Sequence, residues 1–273
     1  MAAQQKEMSF LGHLEELRWH LVRSALAIFL LAILFFVFAK QVYTHFLLAH
    51  LQPDFITYEL FCNFFNLFGM DSSFCSINFA EKKLQSIKVT SQLMNSIWSS
   101  LILGLVVSFP YILWEIWRFV APGLTTKEIK KSRGFIFIAS LLFFIGVFFS
   151  FYVIAPISIQ FLYNYQITDA IENSFTLESH IGLVTNMLLG VSVLFELPVL
   201  IYFLTKIGLI TPNFLRKYRK HALVVVLILA AIITPPDVAS QVIVAIPILI
   251  LYEISIRVSV RVLKNQEKNA NKG

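Results

Sequence analysis

What this chain of 273 residues lacks most is charge. Asp, Glu, Lys and Arg make up 14% of it and hydrophobic residues 58%, against roughly 25% charge in an ordinary soluble domain. That shortage excludes a soluble fold, and the apolar residues fall in long blocks, the pattern of an integral membrane protein. Cysteine is nearly missing, with two residues, so a disulfide-dense scaffold is excluded as well. Catalytic signatures are absent: there is no G-x-S-x-G, no P-loop and no dinucleotide glycine fingerprint. His13, His20, His45, His50, His180 and His221 do not stand at metal-ligand spacing with acids or cysteines. The reading is no enzyme, no cofactor and no metal. No internal repeat is evident, which argues against an inverted-repeat transporter. The first residues carry Glu7, Glu15 and Glu16 with no small-residue cleavage site, so they do not read as a secretory signal. The pI near 9.3 points to no nucleic acid, because the basic residues flank the apolar blocks and act as topology determinants.

What is there is a set of six apolar segments, at about 21–39, 93–114, 134–155, 181–204, 221–233 and 240–257. The fold class expected is all-α: a polytopic membrane protein with six transmembrane helices and both termini cytoplasmic. Residues 1–273 form a single membrane domain, with an extracytoplasmic cap loop at about 40–92 and a disordered cytoplasmic tail at about 264–273. Segments five and six fall below the ~20 residues a span needs. Either they extend through flanking polar residues or the bilayer is locally thinned or crossed at a tilt. The Pro235-Pro236-Asp237 turn fits a hairpin of the two, and a re-entrant pair is the alternative. Lys and Arg number eighteen on one side of these segments and four on the other, a strong positive-inside bias.

Glu196, inside the fourth segment and two residues before Pro198, is the residue that needs explaining. Ten residues before Lys206, it lies some ~15 Å below that end of a helix, near mid-bilayer, where an ionisable group is a functional candidate by default. It is either protonated or paired, or part of a polar groove. Thr185, Asn186, Ser192 and, from segment six, Gln241 are its available neutral partners. Asp237 can cap the sixth helix. In the first outer loop, Cys62 and Cys75 close a loop of 13 residues, which fits a disulfide or two buried thiols. The second outer loop carries Asp169, Glu172 and Glu178 and no base, an acidic rim.

Two cytoplasmic elements present carboxylates on an otherwise basic face. One is Phe10-Leu11-Gly12-His13-Leu14-Glu15-Glu16-Leu17-Arg18, where helical spacing puts Leu14, Leu17 and Leu21 on one stripe and Glu16 away from it. The other runs from Trp114 through Ala121-Pro122-Gly123 to Glu128, amid five basic residues. An interfacial helix and a Lys–Glu pair are the plain explanations. A ligand with closely spaced positive charges is the sharper one, since guanidinium–carboxylate pairing is specific and strong.

FLGHLEELR, APGLTTKE, FELP and ITPPDVASQ, in this order and at these places, resemble the TatC family of the twin-arginine protein translocase over nearly the whole chain. The resemblance implies a curved, glass-shaped bundle of six helices in the bacterial inner membrane. It implies a receptor that exports folded proteins on the proton-motive force and recognises the paired arginines of signal peptides. Its partners would be the single-span TatA and TatB subunits, membrane lipids and further copies of itself. By position, Glu16 beside Arg18, and Glu128 with the aromatic Phe119, correspond to the twin-arginine site. Glu196 and Gln241 correspond to the intramembrane polar groove, and Pro235, Pro236 and Asp237 to the family's outer loop. The long first outer loop and the stretch entering segment two depart from the family pattern. An ion-coupled small-solute transporter is the competing function.

Overall fold

The computed structural model describes residues 10–52, 54–67, 84–120, 126–168, 170, 173–234 and 238–270, the side chains of 10, 11, 13, 64, 65, 126–133, 238, 239, 269 and 270 excepted. Within them the chain is all-α. In order, the helices are α1 (Phe10–Val37), α2 (Ala39–Val42), α3 (Ile56–Leu67), α4 (Ser91–Val120), α5 (Thr126–Phe149), α6 (Ala155–Asn164), α7 (Leu177–Phe195), α8 (Leu197–Lys206), α9 (Pro212–Lys217), α10 (Arg219–Ile233) and α11 (Val238–Ala270). Among the described residues the one extended pairing is an isolated bridge between Gln85 and Thr176.

Among the described residues, five stretches are long and apolar enough to cross a bilayer: Leu14–Val37, Ser91–Val120, Gly134–Asn164, Leu177–Lys206 and Ser240–Lys268. The fifth apolar segment of the sequence forms α10, whose 15 residues reach about 22 Å, short of a ~30 Å hydrocarbon core. The sixth segment extends through its flanking polar residues, one of the outcomes its short apolar run allowed. It belongs to a 33-residue helix with Pro247 inside it. The helix outlasts its apolar run because its packed face does: Ser255, Ile256, Ser259 and Val262 are all buried. It also runs through most of the tail expected to be disordered. There Gln266 donates to the carbonyl of Lys206 at 2.9 Å, satisfying an orphan acceptor at the end of α8.

The helices fall into two compact units. Unit one gathers α1, α4 from Ser96 and α5 as far as Leu141; unit two holds the remainder.

In unit one, α1 and α4 run antiparallel. The packed face of α1 is small and polar, with His20, Ser24 and Ala32 buried, while Leu21, Leu26, Phe29, Leu30, Ile33, Leu34 and Val37 are exposed. Water would punish this arrangement. Lipid tails are as apolar as leucine, so in a bilayer helices associate through small and hydrogen-bonding residues instead. Gly104 marks the closest approach: a Cβ there would lie 2.8 Å from both Ala32 N and Ile28 O. At the far end of α4, the buried Trp117 sets its ring 5.4 Å from Phe135 of α5, closing a hairpin.

Unit two is built on α8 against α11. Ile201, Leu215, Tyr252 and Ile256 form its apolar core, with Thr205 and Ser259 hydroxyls 2.8 Å apart across the interface. Farther along, α11 meets α6 through Ser158 and Ser240 at 2.7 Å. Gly146 lets α5 approach α7 so closely that a Cβ would sit 2.8 Å from Ser192 Cα.

The segments between α1 and α4 hang on a widened turn. Residues Ser150–Ile154 are π-helical, which turns carbonyls away from the helix ladder. Phe151 O accepts from His50 Nε2 at 2.8 Å and Tyr152 O from Thr57 Oγ1 at 2.6 Å. Tyr58 completes the cluster, its hydroxyl donating to His50 O at 2.8 Å. Burial pushes the His50 imidazole down to about 4, so it is neutral with its proton on Nε2. Lys88, from the first outer loop, pairs with Glu178 at 3.1 Å, so one acid of the second loop's expected acidic rim is neutralised from outside that loop. Asp169 and Glu172 lie outside the described residues.

Candidate functional site

The carboxylates of α1 divide into one that is used and one that is not. Arg18, one helical turn on, pairs with Glu15 and stacks its guanidinium 5.7 Å from the Trp19 ring. Glu16 is half-buried and on the face that carries His20. Its Oε2 is shielded from solvent and accepts no hydrogen bond among the described residues. A buried acceptor left bare costs about 1–3 kcal/mol, so this oxygen is poised for a donor.

One turn farther along α1, His20 donates through Nδ1 to the carboxylate of Glu115 on α4. Glu115 is buried to 1% exposure and is surrounded by help: Tyr111 Oη donates at 2.9 Å, Arg118 approaches to 3.6 Å and Arg23 to 4.0 Å. Arg118 also lies 4.8 Å over the ring of Trp114. This cluster was not legible as a site in the sequence, because segment two reads as ending at residue 114. The signal available was a lone Glu between two tryptophans in W-E-I-W.

The same register brings Phe119 to this end of α1, its ring 6.1 Å from His20 and edge-on. Glu128 lies in the first turn of α5, its side chain outside the described residues. Glu16, Arg18, His20, Glu115 and Phe119 thus belong to one polar end of unit one.

Glu196 sits where the fourth span breaks. α7 ends at Phe195 and α8 begins at Leu197; Pro198 has no N–H to return to the carbonyl of residue 194. Both carboxylate oxygens are buried and accept no hydrogen bond among the described residues. The partners expected for it are engaged elsewhere. Thr185 donates to Ile181 O at 2.7 Å, Ser192 to Leu188 O, and Gln241 to Leu227 O at 2.9 Å, which ties α11 to α10; Asn186 is exposed. Hydroxyls on a helix fold back on the preceding turn by default, which explains why they do not reach Glu196.

Cys62, on α3, is disulfide-bonded; Cys75 lies outside the described residues, as do Pro235, Pro236 and Asp237.

Residues 12–247 match the family model of the Sec-independent protein translocase protein (TatC). The chain belongs to the TatC family. It is 37% identical to the Sec-independent protein translocase protein TatC of Blattabacterium sp. subsp. Periplaneta americana, over 97% of this chain and all of that one. It is 33% identical to TatCy of Bacillus subtilis, over 97% of this chain and 93% of that one. A crystal structure described as the twin arginine translocase receptor TatC superposes with a TM-score of 0.70 at 30% identity, covering 92% of this chain and 99% of that one.

TatC membership makes this chain a subunit of a protein translocase and a multi-pass membrane protein, and the small-solute transporter falls with it. The match begins at Gly12 and ends at Pro247, so it takes in α1 from its first turn, both carboxylate sites and the first part of α11.

Proposed function

We propose that this chain is the signal-peptide receptor of a twin-arginine translocase in a bacterial inner membrane, with six spans and both termini in the cytoplasm. The observation that carries the proposal is the bare, half-buried carboxylate of Glu16 beside an Arg18–Glu15 pair that is already closed. One arginine of an incoming peptide binds Glu16. The second binds Glu128, nine residues after Phe119 at the start of α5. A guanidinium fork meets a carboxylate with two parallel hydrogen bonds, which an ammonium cannot do, so paired arginines are preferred over paired lysines.

His20 and Glu115 hold α1 on α4 and so fix the direction in which Glu16 points. Glu196 serves at a different step. An unpartnered carboxylate at a break in a span is held for a polar group on another chain, and the single-span TatA and TatB subunits are the partners it fits. The short α10 suits local thinning of the bilayer while the proton-motive force drives transport of folded cargo. In the outer segment, Cys62 is bonded to Cys75, and Asp237 caps α11 after Pro235 and Pro236.

The test is site-specific crosslinking. Cysteines placed beside Glu16 and Glu128 should each trap a twin-arginine signal peptide, and cysteines on the exposed face of α1 at Phe29 or Ile33 should not. Equal trapping at all four positions overturns the assignment.

A further inference from the structure

At the opposite sequence end of the chain, unit two holds a basic pocket that the receptor reading does not use. It lies where α9, the start of α10 and the charged end of α11 come together. Its volume is about 490 Å³, with Arg216, Arg219, Arg257, Arg261 and Lys264 around it and Ile256 and Val260 beneath. Glu253 is the single acid in the lining, and it is taken: Arg219 forks onto it at 2.8 and 2.9 Å. Among the described residues, Arg216, Arg257, Arg261 and Lys264 make no ion pair.

Arg257, Arg261 and Lys264 stand at i, i+4 and i+7 of one helix face, a spacing at which like charges repel and destabilise the helix. The arrangement asks for an anion. Its position says which kind. Residues 242–256 of α11 carry one charge, and from Arg257 onward the helix turns basic, so the pocket straddles the change from apolar to polar surroundings. Beside it, α9 exposes Phe214, and Tyr218, the residue that ends it, is exposed as well. Their rings lie 4.5 Å apart, and aromatic residues of this kind settle at a bilayer interface. The floor of Ile256 and Val260 is apolar, which suits the glycerol end of a lipid and not a hydrated phosphate ion.

We propose that this pocket binds the headgroup of an anionic phospholipid. Arginine forks hold the phosphodiester oxygens, as basic pockets between membrane helices do generally. The four unpaired cations supply affinity for negative charge, and the Arg219–Glu253 pair shapes the wall.

The experiment uses the full-length chain, delipidated in a neutral detergent, titrated with short-chain phosphatidylglycerol, short-chain phosphatidylcholine, glycerol phosphate and an acidic peptide. Phosphatidylglycerol is expected to bind at least tenfold tighter than phosphatidylcholine. Arg257→Gln/Arg261→Gln should weaken it roughly 30-fold and leave phosphatidylcholine unchanged. Arg257→Lys/Arg261→Lys keeps both charges and guards against loss of fold; it should preserve the preference for phosphatidylglycerol. Four results overturn the proposal: equal binding of the two lipids, no effect of the Gln pair, full competition by glycerol phosphate at the lipid's own concentration, which marks a free-anion site, or stronger competition by the acidic peptide, which marks a protein partner.

Discussion

His20 on α1 and Glu115 on α4 are hydrogen-bonded, imidazole Nδ1 to carboxylate, and both are buried. Ninety-five residues apart in sequence, they close a buried polar contact that fastens the first helix to α4 beside the bare carboxylate of Glu16, with Arg23 of α1 4.0 Å from the same Glu115 carboxylate. The direction proposed for Glu16 depends on that fastening together with the close backbone approach of α1 to α4 at Gly104.

Breaking the pair from one side should be costly. Glu115→Gln leaves His20 only a neutral amide oxygen to donate to and takes from Arg23 and Arg118 the charge they face. Disabling one partner of a buried pair costs up to about 3–5 kcal/mol. His20→Gln should cost less. A double-mutant cycle on thermal unfolding in detergent should give a coupling of about 1–3 kcal/mol; additive single effects would show that the two groups act independently.

The two neighbouring glutamates of α1 should differ sharply. Glu15 already has Arg18, so Glu15→Gln should change twin-arginine peptide affinity by less than about threefold, as exposed pairs contribute ~0–1 kcal/mol. Glu16→Gln removes the negative charge and replaces one of the two acceptor oxygens by a donor, and should weaken binding by about 1.5–3 kcal/mol. Fluorescence anisotropy of a labelled peptide separates them.

Glu196→Leu should stabilise the protein and disable it. Relief of two buried, unpartnered oxygens offers about 1–3 kcal/mol, so the thermal midpoint should rise or hold. Export of a twin-arginine reporter should fall. A fall in both would mean that the carboxylate has a structural partner.

Close helix approach predicts which glycines tolerate a methyl group. Gly104→Ala forces a Cβ against the backbone of Ile28 and Ala32 and should destabilise by about 1–3 kcal/mol. Gly182→Ala meets nothing within 4 Å and should be neutral or stabilising by up to ~1 kcal/mol, alanine being the better helix former. Thermal midpoints of the two variants, measured side by side, decide it.

Acid should loosen the segment around His50. Its folded value of about 4 lies below the unfolded 6.5, so the unfolded chain takes the proton first. Stability is then whole above pH 6.5 and declines toward pH 4 at up to ~1.4 kcal/mol per unit. His50→Gln should flatten that slope in a pH series of midpoints.

The apolar blocks made the helices legible, and the motif order made the family legible, because both are written in contiguous residues. Glu196 stood out for the same reason: one acid in an apolar run needs no partner to be noticed. His20–Glu115 did not, since a pair across two helices leaves no local trace, and the segment read as ending at residue 114 stopped one residue short. The apolar run of segment six leaves the length of α11 open, because the buried rail of Ser255, Ile256, Ser259 and Val262 carries packing beyond the hydrophobic residues. Why α1 shows its leucines outward follows only from asking what solvent surrounds it.

The affinity of twin-arginine and twin-lysine forms of one signal peptide for the wild-type chain and for Glu16→Gln/Glu128→Gln bears on the receptor reading most closely. Paired arginines should bind the wild type at least tenfold tighter than paired lysines, and the double variant should lose that preference. Retention of the full arginine preference by the double variant would place recognition elsewhere and contradict the reading of Glu16 as a held-open acceptor.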